Sequence, residues 1–129
     1  MSSVELDDLL ALLGRLFLSA IFLASAFGKI TNFDGTVQYM EVHGLPWAPL
    51  LCAGAVGLEV LGGISLLLGY GVRWGAAALA AFVIAVSLIF HSSPDQRLHL
   101  LKNMGILGGL LQVMAFGAGG LSLDGRGRA

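Results

Sequence analysis

The sequence predicts an all-α membrane protein: a transmembrane four-helix bundle with a short amphipathic interfacial helix between spans one and two. Composition is the first of three reasons. Of the 129 residues, 57% are hydrophobic and only 12% charged, with a mean hydropathy of +0.86. Soluble domains carry about 25% charged residues, so this chain has too little polar surface for a soluble globule. The second reason is length. Four stretches, at about residues 9–30, 48–70, 74–90 and 100–121, each approach the roughly 20 mainly apolar residues that cross a bilayer. The third is periodicity: the few ionisable residues inside these stretches recur at helical spacing on single faces.

The N-terminal stretch 1–8 is polar and contains Glu5, Asp7 and Asp8 with no Lys or Arg. A cleaved signal peptide starts basic and has a short apolar core, so span one is read as a retained helix. Asp7 or Asp8 is expected to cap its first turn. Between spans one and two, Phe33, Val37 and Met40 fall about one turn apart, and Gly44 and Pro46 end the run. Residues 34–43 are therefore read as an amphipathic helix on the membrane surface. Tyr39 and Trp47 are placed at headgroup level. A Gly-rich turn over 70–74 makes spans two and three an antiparallel hairpin, and residues 91–99 form a polar loop. Residues 9–123 make up one membrane domain, and the tail 124–129 is expected to be disordered.

Charge and cysteine usage exclude several classes. The net charge is −1 and the seven Lys and Arg are scattered, so no nucleic acid partner is indicated. Cys52 is the sole cysteine, which leaves no disulfide and no Cys-x-x-Cys redox pair. It reads as a small packing residue. His43, His91 and His99 fall on one side of the membrane, but His91 and His99 flank one short loop, which suits neither haem nor metal ligation. No Ser–His–Asp set, Walker loop or dinucleotide fingerprint is present.

Ionisable groups in hydrocarbon are costly and need a reason. In span one, Arg15, Ser19, Phe22, Ala26 and Lys29 share a face. In span two, Ala55, Glu59 and Gly63 do. Ala80, Ile84, Ser87 and His91 share one in span three, and Lys102, Gly105, Gly109 and Gln112 share one in span four. The expected arrangement turns these faces inward, with Arg15 paired to Glu59 across spans one and two. Lys29, His91, Lys102 and Asn103 then form a basic rim at the opposite end. Two readings of this polar set stay open. In one it fixes helix register, and the lysines snorkel to the headgroups. In the other it binds an anionic or quinone-like head group, with Glu59 handling a proton. Arg73, Arg126 and Arg128 on the N-terminal side balance Lys29, Arg97 and Lys102 on the other. Arg15 tips the positive-inside rule toward cytoplasmic termini.

The chain also resembles the DoxX family of small four-helix membrane proteins. The resemblance rests on Gly14-Arg15, on Ala26-Phe27-Gly28-Lys29-Ile30 with Phe33-Asp34-Gly35, and on His43-Gly44-Leu45-Pro46. It continues through Leu58-Glu59-Val60-Leu61-Gly62-Gly63, then Leu67-Leu68-Gly69 followed by Arg73, then Phe90-His91 and Leu101-Lys102-Asn103. It covers about residues 9–124. The resemblance implies a helical bundle in the bacterial cytoplasmic membrane and a link to quinone-dependent oxidation or oxidative-stress complexes. It also implies a polar set of Arg15, Lys29, Glu59, His91, Lys102 and Asn103. The expected function is a redox-associated subunit in the lipid bilayer, working with a quinone or with a soluble or membrane oxidoreductase partner. The alternatives are a scaffold and a proton or small-solute carrier, the last requiring a homo-oligomer.

Overall fold

The computed structural model describes residues 3–90 and 94–126. Helix α1 (Ser3–Thr31) leads into a short α2 (Phe33–Val42). Next come α3 (Ala48–Leu68), α4 (Val72–Phe90), a 3-10 turn (Pro94–Gln96), α5 (Arg97–Phe116) and a last turn, α6 (Leu123–Arg126). Four of these helices are long and apolar enough to cross a membrane: Glu5–Thr31 within α1, Ala48–Leu68, Val72–Ile89 and Arg97–Phe116. No strand occurs among the described residues. Helix α1 packs along α3 and α4 along α5, and the α3–α4 contact joins the two pairs.

The interior is small. Phe22, Leu66, Val72, Leu79, Val83 and Leu110 centre it. Large apolar side chains such as Phe17, Leu61, Leu88 and Phe116 point outward. An apolar surface of this extent matches hydrocarbon rather than water as solvent. Glycines allow the helices their closest approaches. A Cβ on Gly62 would come within 2.5 Å of the Leu79 side chain, and one on Gly63 within 2.8 Å of Leu23. The Gly105–Gly109 pair is looser, since only Gly109 meets a neighbour, Leu18 at 3.3 Å. The α3–α4 turn needs Gly69, whose φ is +69° and whose Cβ would collide with Ser122.

Helix α2 buries Val37 and Met40 against Ala48 and Cys52 of α3, with Phe33 packed beside them. Its amphipathic spacing thus binds it to the bundle, and Tyr39 and Trp47 remain exposed.

The two chain ends depart from expectation. Helix α1 already starts at Ser3, so Asp7 and Asp8 do not cap it. Asp8 instead accepts a hydrogen bond from the Gly120 amide at 3.0 Å. Helix α5 stops at Phe116 rather than near 121, at Gly117 with φ +80°. Tail residue Asp124 is folded in: its two carboxylate oxygens accept the amides of Gly71 (2.8 Å) and Val72 (3.0 Å). Those amides are unsatisfied donors at the start of α4, where the helix dipole also favours an anion. The Asp124 amide donates to the Gly69 carbonyl at 2.8 Å. Residues 127–129 lie outside the described residues.

Candidate functional site

The inward face expected for span one is the one observed. Arg15, Ser19, Phe22 and Ala26 are buried and Lys29 is half-buried on the same side. Glu59 is buried on α3, 1% exposed. The partners differ from expectation. Glu59 pairs with Lys29, Nζ to Oε1 at 2.7 Å, and not with Arg15. A helical Cα–Cβ bond tilts toward the helix N-terminus. Helices α1 and α3 run antiparallel, so Lys29 leans back into the bundle while Glu59 leans down toward it. Arg15, on the same helix, leans the same way as Lys29, toward the N-terminal end of α1, and from its position that direction carries it away from Glu59.

At that end Arg15 meets carbonyls. Its Nε donates to Ala118 at 3.0 Å and its Nη1 to Leu66 at 2.8 Å. Its Nη2 donates to Leu121. Leu66 belongs to the last turn of α3, whose carbonyls have no partner within the helix. Ala118 and Leu121 belong to the stretch that unwinds after α5. The early end of α5 and the burial of Arg15 are therefore one arrangement: a guanidinium with five N–H donors gathers the acceptors that the unwound backbone exposes.

Lys29 also donates to Ser25 Oγ at 2.7 Å and lies 5.9 Å from the centre of the Phe82 ring. Ser25, one turn before Lys29, was legible from spacing but was not singled out. Asn103 on α5 donates through Nδ2 to Ser87 Oγ of α4 at 3.0 Å. This contact puts Asn103, Ile106, Leu110 and Val113 on the inward side of α5. The expected face of Lys102, Gly105 and Gln112 is solvent- or lipid-exposed instead, about one residue out of phase.

A cavity of about 610 Å³ connects these groups, within the usual range for small-molecule sites. Lys29, Glu59, Asn103 and Ser25 supply the polar lining from α1, α3 and α5, and Phe22, Leu58, Phe82 and Val86 are among its apolar walls. Thr36, Tyr39 and Met40 bring α2 to its edge. The cavity occupies the first half of α3 and the second half of α4, away from the turn that joins them. Of the expected rim, Lys29 and Asn103 line this space. Lys102 is exposed and does not, and His91 lies outside the described residues.

A buried ion pair in this setting does two things. It neutralises two charges that would each be expensive alone, and it leaves polarised atoms facing a low-dielectric space. Such a space has the character of an amphipathic site, polar at the ion pair and apolar along the walls.

A family model described as DoxX matches residues 10–92, a span that includes Arg15, Lys29 and Glu59. Inner membrane protein YqjF of Escherichia coli (strain K12) is 34% identical over 125 residues, covering 93% of this chain and 93% of that protein. Inner membrane protein YphA of the same strain is 33% identical over 125 residues, covering 91% and 89%. No solved structure matches the chain significantly.

Proposed function

The chain belongs to the DoxX family of multi-pass inner membrane proteins, and from that premise we propose that it is a redox-associated membrane subunit. In this reading its cavity holds the head group of a lipid-soluble quinone. The observation that carries it is the cavity itself: apolar walls around a Lys29–Glu59 pair, with Asn103 alongside. Lys29 has three N–H donors and uses two, on Ser25 and Glu59, so one remains for a ring oxygen. A bound quinone supplies two-electron chemistry coupled to protons. Lys29 and Asn103 orient the ring, Phe82 packs beside it, and Glu59 is the group placed to hold a proton. A soluble or membrane oxidoreductase partner exchanges the electrons, since the chain itself offers no thiol pair or other redox centre among the described residues.

Both termini are assigned to the cytoplasm. Arg15 is engaged with carbonyls and Lys29 with Glu59, so neither acts as a loop charge. That leaves Arg73, Arg126 and Arg128 against Arg97 and Lys102, which favours cytoplasmic termini under the positive-inside rule. Cysteines placed at Arg126 and at Gly44, in a Cys52→Ala background, test this with an impermeant thiol reagent on intact cells. Only the Gly44 position is expected to react, and the opposite pattern would reverse the orientation.

The test of the ligand is extraction after purification in native-lipid nanodiscs. Near-stoichiometric quinone that falls several-fold in Lys29→Met supports the reading. Phospholipid alone, with no quinone in either protein, argues against it. In that case proton flux through vesicles that disappears in Glu59→Gln would identify a carrier.

A further inference from the structure

We infer that the cavity discriminates between the two redox forms of its ligand and holds the dihydroxy, reduced form more tightly; this rests on the quinone reading above. The argument starts at Glu59. Its Oε1 accepts the Lys29 ammonium at 2.7 Å, and its Oε2 receives no hydrogen bond from any described residue. Among the described residues, no buried side-chain oxygen or nitrogen lacks both a hydrogen-bond partner and contact with open space. Oε2 of this 1% exposed residue therefore touches open space, and the space that Glu59 lines is the cavity.

A carboxylate is acceptor-only. In a mostly apolar cavity such an oxygen gains most from a donor placed beside it. Oxidised quinone carries carbonyl oxygens, which are acceptors, and meets this atom with lone pair against lone pair. The reduced ring carries two hydroxyls, each a donor and an acceptor. One hydroxyl can donate to Glu59 while a ring oxygen accepts the remaining N–H of Lys29. The Asn103 amide is neutral to this preference: its nitrogen gives one N–H to Ser87, which leaves a second N–H and the carbonyl, a donor and an acceptor. Net charge adds to the argument. The Lys29–Glu59 pair is neutral overall, which suits an uncharged head group better than a phosphate.

The experiment compares binding of a short-chain ubiquinol, under reducing anaerobic conditions, with binding of the matching ubiquinone. Both are measured on the full-length protein in nanodiscs by the same displacement assay. The reduced form is expected to bind about tenfold tighter, the worth of one hydrogen bond to a charged acceptor. In a redox titration of the protein-bound couple this appears as a midpoint raised by about 30 mV. In Glu59→Gln, whose amide both donates and accepts, the preference is expected to collapse to within about twofold of parity. Equal affinity, or tighter binding of the oxidised form, would overturn the inference while leaving the quinone reading in place. Failure of the wild type to bind either form would remove both. A preference that persists unchanged in Glu59→Gln would show that Glu59 is not its origin. The wild-type comparison stands on its own if the variant does not fold.

Discussion

Lys29 and Arg15 sit on one face of one helix, yet only Lys29 reaches Glu59. The face was legible because the spacing of Arg15, Ser19, Phe22, Ala26 and Lys29 follows the helical period. The pairing was not, because an estimate of depth from residue number ignores the direction in which a side chain leans. On antiparallel helices, residues staggered so that each lies toward the other's N-terminal side close the gap, and Arg15 is on the wrong side of Glu59 to do so. Removing one partner leaves a buried charge, so Lys29→Met is expected to destabilise the protein by about 3–5 kcal/mol. The double variant Lys29→Met/Glu59→Gln should recover a large part of that loss. Reversible unfolding in mixed micelles measures both. Arg15→Met is expected to cost at least as much as one orphaned buried acceptor, about 1–3 kcal/mol. It should also expose the segment after Phe116 to protease.

At the level of elements, the helices of spans two and three lie within two residues of the expected stretches, the helix of span one starts at Ser3 rather than near residue 9, and α2 fell one residue from its expected place. The end of α5 was misplaced. Apolar content continues through Leu121, but Gly117 and Gly119 adopt positive φ, and the carbonyls this frees serve Arg15. Composition carries no signal of that exchange, because it depends on a partner 103 residues away in sequence. The inward face of α5 was also misread. A glycine repeat drew attention to Gly105 and Gly109, whereas Asn103, the polar residue that reaches Ser87, marks the side that faces the bundle. Asp124→Ala removes the acceptor at the start of α4 and is expected to cost about 1 kcal/mol. Hydrogen exchange at the Gly71 and Val72 amides should accelerate. Gly62→Ala forces a Cβ into Leu79 and is expected to cost about 1–3 kcal/mol through overpacking. Thermal unfolding in detergent would register this as a lower transition.

The molecule as a whole turns Arg15 and Glu59 inward and many of its large apolar side chains outward, the reverse of the pattern of a soluble domain. Few interior contacts remain to hold four helices together, so glycine-permitted close approaches and the two polar centres contribute much of the specificity. The centres divide the bundle. At the terminal end, Arg15, Asp124 and Asp8 stitch backbone to backbone around the C-terminal segment. At the other end, Lys29, Glu59 and Asn103 border open volume. One centre has its hydrogen bonds closed by the chain itself, and the other leaves some for a ligand. The most direct test is a density map of the protein in native-lipid nanodiscs, resolved well enough to place the Lys29 and Glu59 side chains. The expected result is Lys29 Nζ within hydrogen-bonding distance of Glu59, with planar, ring-sized density beside them. Lys29 extended to the headgroups, with acyl chains packed against a lone Glu59, would contradict it.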